Sequence, residues 1–160
     1  MCKIRQANPD DYDALSAMGE RFFAYSAFAN AIPFDREAVR DVLARLGEGD
    51  SLLPEATATV LVAEDKGEIV GGIVGVLTAA WFNPQSRIAT ELAWWVTEAH
   101  RGGTAGIKLY RAFEKWAEAH KADAIVMSDL VIDGETPAAQ LFEKLGYVTV
   151  ERSHIKKGVE

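Results

Sequence analysis

Between Trp94 and Phe113 the chain reads WWVTEAHRGGTAGIKLYRAF, with Val96 five residues ahead of Arg101, a glycine pair at Gly102 and Gly103, and a third glycine at Gly106. An apolar strand that runs into a glycine-rich turn and then a helix can hold an anion. The first N–H groups of a helix have no partner within it, and the helix dipole favours negative charge at that end. Glycines at 102, 103 and 106 let a bulky diphosphate approach the main chain. Thr104 can cap the helix or donate its hydroxyl to a phosphate oxygen. The same residues also suit a turn that merely joins strand to helix. Two phosphate motifs are excluded, because the chain has neither the lysine-serine/threonine ending of a P-loop nor a G-x-G-x-x-G after a first βα turn.

The elements that would position this turn follow from periodicity and caps. KIRQA at residues 3–7 predicts a short strand. Asn8 as cap and Pro9 at the first helical position then open a helix to about Tyr25. Asp35 caps a second helix that stops at Gly47, and residues 49–56 form a linker. TATVLVAE and IVGGIVGVLTAAWF, joined by DKGE, predict a hairpin. After an NPQSR loop, IATELAWWVT is a third long strand. The stripe of Ala105, Leu109, Phe113 and Trp116 marks a helix to about Ala119, and AIVMSDLV at 124–131 reads as a buried strand. A short helix capped by Thr136, with Pro137 first and Gly146 past its end, precedes a closing strand, YVTVERSHIKK. The order is β-α-α-β-β-β-α-β-α-β, an α/β (α+β) arrangement on one mixed sheet.

This order and two motifs carry a resemblance. Val96, Arg101 and Gly106 match the acetyl-CoA-binding segment of the GNAT superfamily of N-acetyltransferases, in which a strand valine precedes R/Q-x-x-G-x-G/A and a helix. Thr104 stands where the middle glycine is usual. AAQLFEKLGY resembles the family's second landmark, A-x-x-L-Y-x-K-x-G-F. The resemblance spans nearly the whole chain and implies a splayed pair of parallel strands, 91–97 and 124–131, that admits the pantetheine of acetyl-CoA. It further implies cofactor contacts from the main chain of Trp95 and Val96, from Arg101, Gly102, Gly103, Thr104, Ala105 and Gly106, and from Phe142. The chemistry implied is acetyl transfer to a primary amine of a small molecule or peptide by direct attack in a ternary complex.

An alkyl amine is mostly protonated at neutral pH, so such a site needs a proton acceptor. Glu91 stands where family members often keep a catalytic glutamate and is the candidate base, with Asp129 as the alternate. Glu91 also suits the solvent end of a strand or a cation-binding role. Where the family often has a tyrosine that protonates the departing thiolate, this chain has Phe142. The missing phenol keeps a second reading open, an acyl-CoA-binding domain with little or no transfer, and a third, a scaffold that serves as an interaction module.

Composition sets the outer bounds. At 160 residues, 49% of them hydrophobic, the chain is expected to form a single domain over residues 1–160. The net charge of -7, without any run of arginine or lysine, makes nucleic acid a poor partner and suits a cationic one. Cys2 is the sole cysteine, and His100, His120 and His154 have no ligand spacing, so neither a disulfide nor a metal site is expected. With no signal-like segment and no run of membrane length, the expected location is the cytoplasm, without a membrane partner. A homodimer is compatible with the family. Trp94 and Trp95 should point to opposite faces of one strand. Trp81 and Phe82 suit a pocket wall, a dimer contact or anchors, and Phe22, Phe23, Tyr25 and Phe28 are expected to be mostly core.

Overall fold

A computed structural model describes residues 1–50 and 52–158 of the chain. The elements are β1 (Lys3–Gln6), α1 (Tyr12–Phe23), α2 (Arg36–Gly47), β2 (Thr57–Asp65), β3 (Glu68–Ala80), β4 (Asn83–Val96), α3 (Ala105–Ala119), β5 (Ala124–Val126) and α4 (Ala139–Lys144). The five strands form one sheet in the order β1-β2-β3-β4-β5. Every neighbouring pair is antiparallel except β4 and β5, which run parallel across the α3 crossover.

Local chemistry sets most boundaries. The Asn8 side chain accepts from the Asp10 N–H and the Asp11 carboxylate from the Asn8 N–H, a reciprocal cap ahead of α1. Asp35 accepts from the Ala38 N–H at 2.9 Å and starts α2. The hairpin β2-β3 turns at Lys66 and Gly67, both at positive φ. Each face of the sheet carries its own apolar layer. Val60, Val62, Val74, Val76 and Trp95 pack with Leu15, Met18, Leu43 and Leu46 of α1 and α2, whereas Ile73, Leu77 and Ala89 pack with Leu109, Phe113 and Ala117 of α3.

The structure departs from the sequence expectations in four places. Residues 83–87, read as a loop, belong to β4, because their partners on β3 extend the hairpin to Ala80. The strand expected over 124–131 keeps only Ala124–Val126, and its pairing with β4 ends at Thr90 with Val126. Among the described residues there is no strand after α4: Val148 and Val150 are 80% and 75% exposed, so the alternating pattern is present without a partner to bury it. α4 also starts later than its expected Thr136 cap, at Ala139.

Candidate active site

The strand pair comes apart because of one residue in β4. Val74 pairs with Ala93 and Gly75 with Glu91, so Leu92 has no partner and forms a bulge. Before it, the Arg87 carbonyl accepts from the Asp123 N–H at 2.8 Å, which turns the main-chain groups of residues 87, 89 and 91 toward β5. After it, the Thr97 N–H donates to the Val70 carbonyl at 2.9 Å, which turns residues 93, 95 and 97 toward β3. The main-chain groups facing the gap beyond the bulge are therefore those of Trp94 and Val96. Trp95, expected to bind through its backbone, has its main chain directed to β3 instead.

Glu91 sits at the point of separation. Its residue is 6% exposed, and its Oε2 accepts from the Ser128 N–H at 3.0 Å. Ser128 lies two residues past Val126, the last β5 residue in register with β4. The carboxylate thus spans the open pair. Burial pushes its pKa up to about 7, against the smaller opposing pull of the Ser128 amide. Opposite Glu91 on β3 stands Gly75, where an added Cβ would collide with the Phe113 ring. Asp129, the other candidate base, accepts from the Ala138 N–H at 3.2 Å, beside the first turn of α4, and burial raises its pKa. It holds the start of α4 in place of the expected Thr136 cap.

The turn at the end of β4 has the predicted form. Gly102 is at φ +79°, a conformation that side chains other than glycine rarely adopt. Arg101 folds back and donates from Nε to the Val96 carbonyl at 3.0 Å, which ties the turn to the strand end. The first α3 bond runs from the Lys108 N–H to the Thr104 carbonyl, so the amides of Ala105, Gly106 and Ile107 precede it. The Thr104 side chain makes no cap bond. At Gly106 an added Cβ would meet Trp94 and Val96 in ordinary van der Waals contact at 3.6 Å, so the helix start lies against the strand end.

Aromatic rings close the α3 side of the gap. Trp94 lies 6.0 Å from Phe142 and 6.5 Å from Tyr110, centroid to centroid, and Phe142 lies 5.5 Å from Tyr147. Trp95 is on the other face, stacked on Phe22. Both indole N–H groups are buried without a hydrogen-bond partner among the described residues. The Tyr147 hydroxyl bonds the Tyr110 hydroxyl at 3.3 Å, and Tyr110 donates to Glu114 at 2.9 Å. Trp81 and Phe82 stand 91% and 68% exposed at the far end of the hairpin. On β3 the residues facing Glu91 and Asn83, Gly75 and Ala80, are five positions apart, roughly 17 Å at about 3.3 Å each, so the two rings stand at the other end of the strand from Glu91. Tyr25 and Phe28, expected in the core, are about half exposed, and the Tyr25 hydroxyl donates to Glu98 at 2.9 Å, just ahead of the glycine turn.

The glycine turn and the place of Glu91 on β4 were legible in the sequence, whereas the Leu92 bulge and the Ser128 contact were not. The bulge has a faint trace in the sequence, since Glu91 and Trp94 share a face although their spacing of three breaks strand alternation. No signal marks Ser128. Among the described residues there is no group of three or more His, Cys, Asp or Glu side chains able to hold a metal, and no helix long and apolar enough to cross a membrane.

Comparisons with known proteins follow the same geometry. An aminoglycoside acetyltransferase from an uncultured soil metagenomic sample shares 21% identity with a TM-score of 0.69, over 100% of this chain and 99% of that one. A ribosomal-protein-alanine N-acetyltransferase from Brucella melitensis biovar Abortus 2308 shares 14% at 0.69, over 99% and 100%. The structure of AAC(6')-Iy in complex with a bisubstrate analogue, CoA-S-monomethyl-acetylneamine, shares 13% at 0.72, over 99% of each chain. At these identities the likeness establishes the fold. No curated protein matches the sequence. The family model described as the acetyltransferase (GNAT) family matches residues 21–147, most of the chain, and the protein therefore belongs to that family.

Proposed function

We propose that the protein is an acetyl-CoA-dependent N-acetyltransferase acting on a primary amine of a small molecule or peptide, by direct attack in a ternary complex. The observation that carries this reading is the open edge of β4 beyond Thr90, which ends in a glycine turn with unpartnered helix amides and has a buried carboxylate at its mouth. Bound acetyl-CoA supplies the acetyl thioester. The amides of Ala105, Gly106 and Ile107, with Gly102 and Gly103 giving them clearance, hold a diphosphate, and the main chain of Trp94 and the Val96 N–H face an extended ligand, the Val96 carbonyl being engaged by Arg101. Glu91 accepts the amine proton, directly or through water; a carboxylate with a pKa near 7 is half ionised at neutral pH and still basic enough to take it. The names of two structural neighbours, an aminoglycoside acetyltransferase and a ribosomal-protein-alanine N-acetyltransferase, support an amine as the acceptor class.

A second reading rests on Phe142, which is 8% exposed against Trp94 and offers no hydroxyl to a departing thiolate. In that reading the chain binds acyl-CoA and transfers little. Thiol release from acetyl-CoA, followed with polyamines, aminoglycosides, amino acids and peptide N-termini, separates the two. Transfer requires at least one amine to raise release above hydrolysis; no rise with any amine overturns the transferase reading. Glu91→Gln should then lower kcat by about 100-fold or more, with cofactor affinity nearly unchanged.

A further inference from the structure

The Glu91 carboxylate and the Ser128 N–H share a place in the fold that a bound ligand would also need. Ser128 lies two residues past Val126, the last residue of β5 in register with β4, and its amide donates to a side chain and not to the β4 main chain. Glu91 is buried, so the carboxylate has little water to replace this bond if it is lost. Burial raises its pKa, and the Ser128 amide opposes that rise. Asp129, the nearest carboxylate in sequence to that amide, is itself turned to the Ala138 N–H at the start of α4.

We propose that Glu91 is a latch on the strand pair: in the free chain it occupies the Ser128 amide, and it is released as a base only when an acyl-CoA chain enters between β4 and β5 and Ser128 donates to it. This inference rests on the cofactor reading above. Release removes the one bond that favours the ionised carboxylate, so Glu91 becomes more basic and takes up a proton as the ligand binds.

The test uses desulpho-coenzyme A, which has no thiol to titrate, added to the full chain at about pH 7.5 in buffers of different ionisation enthalpy. A rise of about one unit in the carboxylate pKa corresponds to uptake of roughly half a proton per ligand, and the Glu91→Gln variant should show none of this excess. In the unmodified chain the Ser128 amide resonance should follow a titration near pH 7 when free and stop following it when saturated. Equal proton counts in both chains, or a Ser128 amide that still follows the carboxylate in the complex, overturn the latch and leave the cofactor reading standing. Absence of binding heat at millimolar ligand overturns the cofactor reading and the latch with it.

Discussion

Glu91 places a functional demand and a stability penalty on the same atoms. Its pKa in the folded chain is about 7 against an ordinary 4.5, so between those values the unfolded chain has lost the proton that the folded chain retains. Stability therefore falls as pH rises from about 4.5 to about 7 and is level above that, with a penalty on the order of 3 kcal/mol from this group. Glu91→Gln removes the penalty. Urea denaturation at pH 4.5 and pH 8 should show the variant gaining on the unmodified chain only at the higher pH, by up to about 3 kcal/mol. A difference independent of pH would mean that the carboxylate is not buried as described. In the transferase reading, kcat/KM for acetyl-CoA should rise through pH 7 and level off, and that limb should vanish in the variant.

The element that makes the site is β4, and the decisive departure from regularity is Leu92. Its insertion exchanges the residues facing the gap from 87, 89 and 91 to 94 and 96, so the same strand pairs with β5 at one end and offers free groups at the other. Gly75 keeps the register at this point, because its missing side chain admits the Phe113 edge opposite Glu91. Gly75→Ala should destabilise the fold by about 1–3 kcal/mol through overpacking, measured by urea denaturation, with a matching loss of ligand affinity as Glu91 shifts. Most strands and helices, the Asn8 and Asp35 caps and the glycine turn were legible because caps, turns and periodicity are local. The bulge, the early end of β5 and the Ser128 contact were not, because pairing depends on residues dozens of positions away. The same limit explains Trp95: alternation predicted correctly that its side chain opposes Trp94, but the direction of its main chain depends on the bulge.

At the scale of the molecule, the sheet is built from Lys3–Gln6 to Ala124–Val126, and the chain beyond α4 adds no strand to it. Among the described residues no hydrogen bond or ion pair joins residues 148–158 to the rest, although Tyr147 is held by Tyr110. The valines of this tail satisfied the sequence rule for a strand, yet an edge is built only where another edge lies beside it. Deleting the chain from Val148 onward should therefore shift the Tm by no more than about 2–3 °C. A larger loss, seen by differential scanning calorimetry, would show that the tail packs on the sheet in solution.

The two adjacent indoles on opposite faces of β4 give the chain its own optical readout. Trp94 lies beside Gly106, at the glycine turn, whereas Trp95 is sealed behind α1 with Phe22. Occupying the cleft should quench or shift the emission of the first and leave that of the second unaltered, so a Trp94→Phe chain should lose the response and a Trp95→Phe chain should keep it. Steady-state fluorescence could then follow the filling of the site without any added label.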